Sequence, residues 1–216
     1  MDLKKMYSTR FEETDLPAKN EIWRVICDTY LSKFIKPQDT VVDVGAGYCE
    51  FINNIECENK IAIDLNEDVK RFANPDVRVI NESCMAIQSL DKDSVDVVFM
   101  SNFLEHLPSK QQVLETLGES HRILRQGGRI IILQPNIRFL PGSYWDYFDH
   151  HTPLTERSLV EALQLLEFKI NVCHAKFLPY TTKSRLPKGA VFVRLYLRFP
   201  LAWKILGKQA LIVAEK

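Results

Sequence analysis

The sequence lacks a hydrophobic run long enough to cross a bilayer, because no stretch reaches the roughly 18 consecutive apolar residues of a spanning helix. Residues 1–20 are charged and contain no apolar core of the kind that a secretion signal carries. These two absences predict a protein that is neither secreted nor membrane-spanning, and we expect a cytoplasmic location.

Paired cysteines and net charge are also lacking. The 5 cysteines are scattered, and none belongs to a C-x-x-C pair, which argues against a disulfide framework and a structural zinc site. The 28 basic residues balance the 28 acidic ones, so no global electrostatic field favours nucleic acid as a partner.

Apolar runs and helical periods alternate along the 216 residues, a length that suits one α/β domain. Strands are predicted at 40–44, 61–64, 77–80, 95–100, 129–133, 168–173 and 210–214. Helices are predicted at 18–35, 50–57, 67–73, 109–124 and 159–166, with a short one after residue 81 and with Gly127 and Gly128 ending the fourth. Strands that alternate with helices need crossover connections, so the sheet should be mainly parallel.

The turn after the first strand organises this pattern. Gly45 and Gly47 permit positive φ there, and they let a ligand lie against bare backbone beside the start of a helix. Asp64 ends the second strand about 20 residues later, where nucleotide-binding units place a ribose-binding carboxylate. The alternative is a tight turn that binds nothing.

Four ordered motifs carry a family resemblance: D-V-G-A-G at 43–47, I-A-I-D-L at 61–65, S-V-D-V-V-F-M-S-N-F-L-E-H-L at 94–107 and R-I-L-R-Q-G-G-R-I-I-I at 122–132. Over residues 38–174 the chain resembles the class I S-adenosylmethionine-dependent methyltransferases. This resemblance implies a doubly wound, mostly parallel seven-stranded α/β sheet whose last strand runs antiparallel beside the fifth. One departure is Cys49, which stands where the family has its third glycine, so close packing of helix on strand is in doubt there.

The resemblance also implies which residues hold the cofactor, S-adenosylmethionine. Cys84 and Met85 stand near the place of an adenine contact, with core packing as the alternative for Met85, and Ser101 and Asn102 stand near the methionine part. The full predicted set is Asp43, Gly45, Ala46, Gly47, Asp64, Leu65, Cys84, Met85, Ser101 and Asn102.

Three histidines, His106, His150 and His151, are the catalytic candidates, because a neutral imidazole is available at pH 7 to take a proton from a hydroxyl acceptor. Residues 139–151 form an aromatic-rich loop that should wall the acceptor side, with Tyr144, Trp145 and Asp149 as further contacts. The alternatives are that Glu105 and His106 only orient their turn and that the aromatic residues fill a small satellite core.

Three other functions need weighing. Some related O-methyltransferases hold a divalent ion, and Glu105, His106 and His150 resemble part of that ligand set. Asn102 replaces its first acidic ligand, so we predict no metal. A dehydrogenase is disfavoured by the missing third glycine, whereas a catalytically silent cofactor-binding module of the same fold stays open.

The segment 176–208 holds 8 basic residues and no acidic one among large apolar side chains. We predict one domain with an N-terminal cap (1–36), a cofactor-binding core (37–174), a basic and aromatic insertion (175–208) and a last strand (209–216). The insertion is an acceptor-side lid or a peripheral contact with an anionic membrane, with a subunit interface or ordinary packing as alternatives. The leading acceptor is a small polar molecule: a sugar, glycan or lipid-linked saccharide that is methylated on oxygen.

Overall fold

A computed structural model describes residues 16–180 and 189–216 of the chain. Parts of the predicted N-terminal cap and of the basic insertion, including Lys183, Arg185 and Lys188, lie outside these described residues.

One mixed sheet of seven strands forms the centre of the fold, in the order β3-β2-β1-β4-β5-β7-β6. Its strands are β1 Thr40–Val44, β2 Asn59–Ile63, β3 Val77–Ile80, β4 Val95–Ser101, β5 Leu124–Pro135, β6 Lys169–His174 and β7 Gln209–Glu215. Strand β7 pairs antiparallel with both β5 and β6, and β1 to β5 pair in parallel. The predicted fold class is confirmed.

The carboxyl ends of the central strands meet at one edge of the sheet. Val44 at the end of β1 pairs with Ile63 at the end of β2, and Ser101 at the end of β4 pairs with Leu133 of β5. Ligands of open α/β sheets bind outside this edge, so the register fixes where a site can form.

In the part of the chain that the structure describes, six helices cover the two faces of the sheet: α1 Leu16–Thr29, α2 Val69–Phe72, α3 Lys110–Ile123, α4 Glu156–Leu165, α5 Ala190–Arg198 and α6 Pro200–Leu206. One core packs α1, α5 and α6 on one face of the sheet, and the other packs α3 and α4 on the opposite face. Ser109 caps α3 by accepting the Gln112 N–H, as the sequence predicts. Among the described residues, none of the helices has the length and apolar character to traverse a bilayer.

The predicted helix at 50–57 is wrong, since only a single 3-10 turn, Ile52–Asn54, follows the glycines. The Asn54 side chain donates at 2.8 Å to the Glu50 carbonyl, which is the acceptor that a helical Asn54 N–H would use. The Asn53 side chain donates at 2.8 Å to the Phe72 carbonyl and ties the turn to α2. The glycine turn therefore has no α-helix N-terminus behind it.

Two other boundaries differ from the prediction. Helix α3 ends at Ile123 and β5 starts at Leu124, so Gly127 lies inside an irregular strand with φ +74° instead of ending the helix. The short helix expected after residue 81 is replaced by turns.

Candidate active site

A cavity of about 890 Å³ opens at the carboxyl edge of the sheet. Its floor is the turn after β1 and the end of β4, and its walls come from α1, α5 and α6. Helix α1 is held against the floor of the cavity, because Lys19 pairs with Glu50 at 2.6 Å and the rings of Trp23 and Phe99 make a T-shaped contact with centroids 6.1 Å apart. The turn and the helices therefore enclose one shared space.

The two glycines of the turn have different reasons to be glycine. Gly45 has φ +71°, and a Cβ there would lie 2.3 Å from Cδ2 of Phe103, so a side chain is sterically excluded. Gly47 has φ +51°, and no atom lies within 4 Å of its Cβ position. Because Gly47 faces open cavity, a ligand can approach its bare backbone.

Cys49, which stands in the place of the family's third glycine, has a left-handed backbone conformation. Its φ is +59°, and its side chain is fully buried with Sγ 3.9 Å from the Val69 carbonyl. This left-handed backbone is strained for a residue with a Cβ, and the Cys49 sulfur packs under α2.

Carboxylates gather around the turn. Asp43 is buried and lines the cavity, and its pKa is raised by burial and by the charges of Glu50 and Asp64. Asp64 accepts the Gly47 N–H at 2.9 Å and the Asn66 N–H at 2.8 Å, yet burial raises its pKa too. A ligand that brings positive charge to the turn would offset this crowding of acidic groups.

His106 forms the centre of the polar end of the cavity. Its Nδ1 lies 3.0 Å from Oδ2 of Asp149 and 3.1 Å from the Asp149 carbonyl. Burial lowers the pKa of His106, but the charge of Glu105 and the bonds to Asp149 raise it, and the net direction is upward. Since Asp149 accepts a hydrogen bond from Nδ1–H and so keeps that proton on Nδ1, Nε2 is left as the proton acceptor.

Glu105 stands behind this histidine and is only 1% exposed. The Nε2–H of Gln134 donates to its Oε2 at 2.8 Å, and its Oε1 lies 4.0 Å from Nε2 of His106. Burial raises the pKa of Glu105, against the opposing influence of His106 and the Gln134 bond. A buried carboxyl thus sets the electrostatic environment of the histidine.

The loop 139–151 contributes part of the wall. Tyr147 stacks on His150 at 5.0 Å, and both line the cavity, whereas Tyr144 is fully buried behind them. Trp145 is 51% exposed and outside the cavity wall. The exposed His151 is outside it as well, and its backbone N–H donates to the Glu105 carbonyl. The loop therefore lines the cavity with Tyr147 and His150 and also fills a small core around Tyr144, while its contact with the acceptor stays a prediction.

A family model described as a methyltransferase domain matches residues 42–132, which hold the glycine turn and the strand ends of this site. The matched domain, and the fold shared with solved S-adenosylmethionine-dependent methyltransferases, agree with the class I family that the sequence resembles. The predicted family and its cofactor, S-adenosylmethionine, are confirmed.

Individual relatives are distant. A demethylmenaquinone methyltransferase of Alkalihalophilus pseudofirmus is 24% identical over 152 residues, which are 63% of this chain and 62% of that relative. The chain thus spans less than two thirds of that relative's length. A methyltransferase of Archaeoglobus fulgidus superposes with a TM-score of 0.68 at 20% identity, covering 94% of this chain and 98% of its own. One from Thermotoga maritima gives 0.69 at 15% identity, covering 98% of both chains. These two structures show the shared fold.

The structure brings most of the predicted cofactor residues together. The cavity wall includes Asp43, Gly45, Ala46, Gly47, Ser101 and Asn102, and Asp64 adjoins it through Gly47. The open space at Gly47 and the carboxyl of Asp43 fit a cationic cofactor.

Besides Asp64, three further predicted cofactor residues lie outside the cavity wall. Leu65 is 62% exposed. Cys84 is buried, and its Sγ lies 3.4 Å from Oγ1 of Thr116. Met85 packs against the core on the side of α3 and α4. Their roles in binding adenosine stay predictions.

The residues of the metal alternative also meet in space. Glu105, His106 and His150 each offer one ligand atom, and these atoms lie within 4.8 Å of one another. Asn102, in the place of a first acidic ligand, donates through its side chain to Oγ of Ser101 at 3.0 Å. The absence of a metal stays a prediction, and chelation tests it.

Several site residues were missed by the sequence reasoning. Gln134 has a detectable signal, since it is a polar residue that interrupts the apolar end of a strand. Tyr147 stood within the predicted loop but was not selected from it. The apolar wall from α1, α5 and α6 has no local signal, because apolar residues at helical spacing also describe an ordinary core.

Proposed function

We propose that this methyltransferase transfers a methyl group from S-adenosylmethionine to a hydroxyl oxygen of an amphipathic acceptor. Of the predicted acceptors, a lipid-linked saccharide fits this description. The observation that carries the proposal is that one cavity joins the glycine turn, the His106 cluster and an apolar wall.

The apolar wall is what narrows the acceptor class. Its residues include Ile22, Trp23, Leu178, Phe192, Val193 and Phe199. Burying apolar surface contributes about 25 cal/mol per Å², and a free sugar has little such surface to bury. An acceptor with an alkyl or prenyl part would use the wall while its hydroxyl reaches the polar end.

Different residues of the chain bind the cofactor and transfer the proton. When bound, S-adenosylmethionine supplies an electrophilic methyl group on its sulfonium. The glycine turn and Asp43 hold that cofactor, and the cavity wall aligns the acceptor. His106 takes the acceptor hydroxyl proton on Nε2, because Asp149 fixes the other proton on Nδ1.

A quinone acceptor is the second candidate. The curated relative is named for demethylmenaquinone, and the apolar wall suits a quinone with an apolar substituent as well. The position of the new methyl group in the product, on oxygen or on carbon, distinguishes the two candidates by NMR.

Alkyl glucosides with butyl, octyl and dodecyl chains test the acceptor class. With tritiated S-adenosylmethionine, we expect methyl transfer to rise with chain length and to fall sharply for free glucose. His106→Asn should abolish this transfer, while His151→Asn, outside the cavity wall, serves as the matched control. Equal rates on glucose and dodecyl glucoside would contradict the amphipathic acceptor.

Calorimetry tests cofactor binding independently of the acceptor. We expect S-adenosylmethionine to bind and NAD not to bind. Asp64→Ala should weaken S-adenosylmethionine binding by about 1.5–3 kcal/mol, the usual loss for hydrogen bonds to a charged group. Tight binding without transfer to any glucoside or quinone would favour the catalytically silent alternative.

A further inference from the structure

Helices α5 and α6 display large apolar side chains on their outer surface. Val191, Leu201 and Ile205 are exposed by 69%, 58% and 78%, whereas Leu197 and Trp203 on the inner surface are buried. An exposed apolar surface of this density indicates a contact with something outside the chain. We call the exposed residues of 190–206 the outer surface.

Positive charges are interspersed with these apolar residues. Arg194, Arg198 and Lys204 are exposed, and none of the three forms an ion pair with another of the described residues. The sequence has no acidic residue between 176 and 208 to neutralise them. Basic residues interleaved with Phe, Leu and Ile are typical of helices that lie at an anionic membrane surface.

A second copy of the chain fits this surface less well. In a two-fold symmetric dimer the same patch meets itself, so Arg194, Arg198 and Lys204 would approach their own copies. Like charges at such close range repel, and the patch has no carboxylate to separate them.

The outer surface also adjoins the cavity. Phe192, Leu195 and Phe199 belong both to this exposed surface and to the cavity wall. An apolar molecule that leaves a bilayer beneath α5 and α6 would therefore meet the cavity directly.

We propose that the outer surface of α5 and α6 docks on an anionic lipid bilayer, with the acceptor cavity opening toward the lipid. The docking stands on the exposed apolar and basic residues alone, and only the entry of the acceptor rests on the proposed function. Each basic residue near an anionic surface strengthens partitioning about fivefold, so the three together contribute about 100-fold.

Co-sedimentation of the full chain with vesicles tests the docking without cofactor or acceptor. One set contains phosphatidylcholine alone and the other contains a quarter of phosphatidylglycerol. We expect binding to the anionic vesicles that is at least tenfold stronger and that weakens at about 0.5 M salt.

Two double variants avoid residues of the cavity wall. L201S/I205S removes apolar contacts and R194Q/K204Q removes charges, and each should weaken vesicle binding at least tenfold. L165S, a similarly exposed leucine on α4, and K110Q on α3 are the matched controls and should bind as the parent does. Unchanged S-adenosylmethionine affinity in calorimetry shows that a variant is folded.

Three results would overturn the docking: no binding of the folded parent to anionic vesicles, equal binding to both vesicle types, or variants that bind as the parent does. A concentration-dependent dimer that L201S/I205S dissolves, without vesicle binding, would assign the surface to a second copy instead. None of these results depends on methyl transfer, so the proposed function can fail or hold separately.

Discussion

Nδ1 of His106 lies 3.0 Å from Oδ2 of Asp149, and this contact joins the turn after β4 to the aromatic loop. Each residue was a site candidate by itself, but neither had a visible partner in the sequence. The contact keeps a proton on Nδ1 of His106 and so leaves Nε2 free to accept one.

Asp149→Asn tests whether Asp149 fixes the tautomer of His106. The amide leaves the geometry similar but can hold the wrong tautomer of His106, so we expect kcat to fall by about 10² or more with the S-adenosylmethionine Kd unchanged. Asp146→Asn, an exposed aspartate of the same loop, should keep full activity. Equal kcat in the two variants would remove His106 from the role of base.

The pH dependence follows from the same pair. His106 must be neutral to accept a proton, and its pKa is raised, so the rate should rise with pH through a midpoint above 6.5. Glu105→Gln removes the charge 4.0 Å from Nε2, which lowers the pKa of His106, and should move the midpoint to lower pH. A midpoint that moves upward in the kcat profile, or stays, would contradict this assignment.

Chelation separates proton transfer by His106 from metal assistance. If His106 acts as the base, methyl transfer in excess EDTA should equal that in buffer. A loss that added Mg²⁺ or Mn²⁺ restores would instead assign Glu105, His106 and His150 as ligands, since their donor atoms lie within 4.8 Å of one another.

Cofactor binding should release protons. Burial and neighbouring acids raise the pKa of Asp43, and a bound cation would lower it again. Affinity for S-adenosylmethionine should therefore increase with pH, and its calorimetric enthalpy should differ between phosphate and Tris buffers. Asp43→Asn should lose most of this difference, while Asp39→Asn, outside the cavity wall, should keep it.

At Cys49 we expect a glycine variant to be more stable than an alanine variant, the opposite of the usual order. Cys49→Ala and Cys49→Gly both lose the buried sulfur, but only glycine relieves the left-handed backbone, so the Gly variant should be about 1 kcal/mol more stable. Cys27 is a buried cysteine inside α1, and there Cys27→Ala should be about 1 kcal/mol more stable than Cys27→Gly, because glycine disfavours a helix. Urea unfolding of the four variants measures both differences, and the same order at both positions would contradict the strain at Cys49.

The sequence by itself determined the sheet and the turn. Apolar runs bounded by turn residues are local signals, and alternation with helices leaves little choice but a parallel doubly wound sheet. The sequence likewise predicted the positions of Gly45, Gly47 and Asp43, because a strand followed by two spaced glycines specifies a backbone shape. The helix expected at 50–57 is reduced to one 3-10 turn, where the Asn54 side chain occupies the Glu50 carbonyl and the Asn53 side chain bonds to Phe72 of α2.

Only the tertiary structure decided how the site is assembled. The pairing of Glu105 with Gln134 and of His106 with Asp149 depends on where β5 and the aromatic loop pack, and no local pattern encodes that. Packing also placed Leu65 and Met85 outside the cavity and turned α5 and α6 into its wall. Contacts between segments distant in the chain follow from how whole faces bury together, whereas periodicity records only which residues have a face to bury.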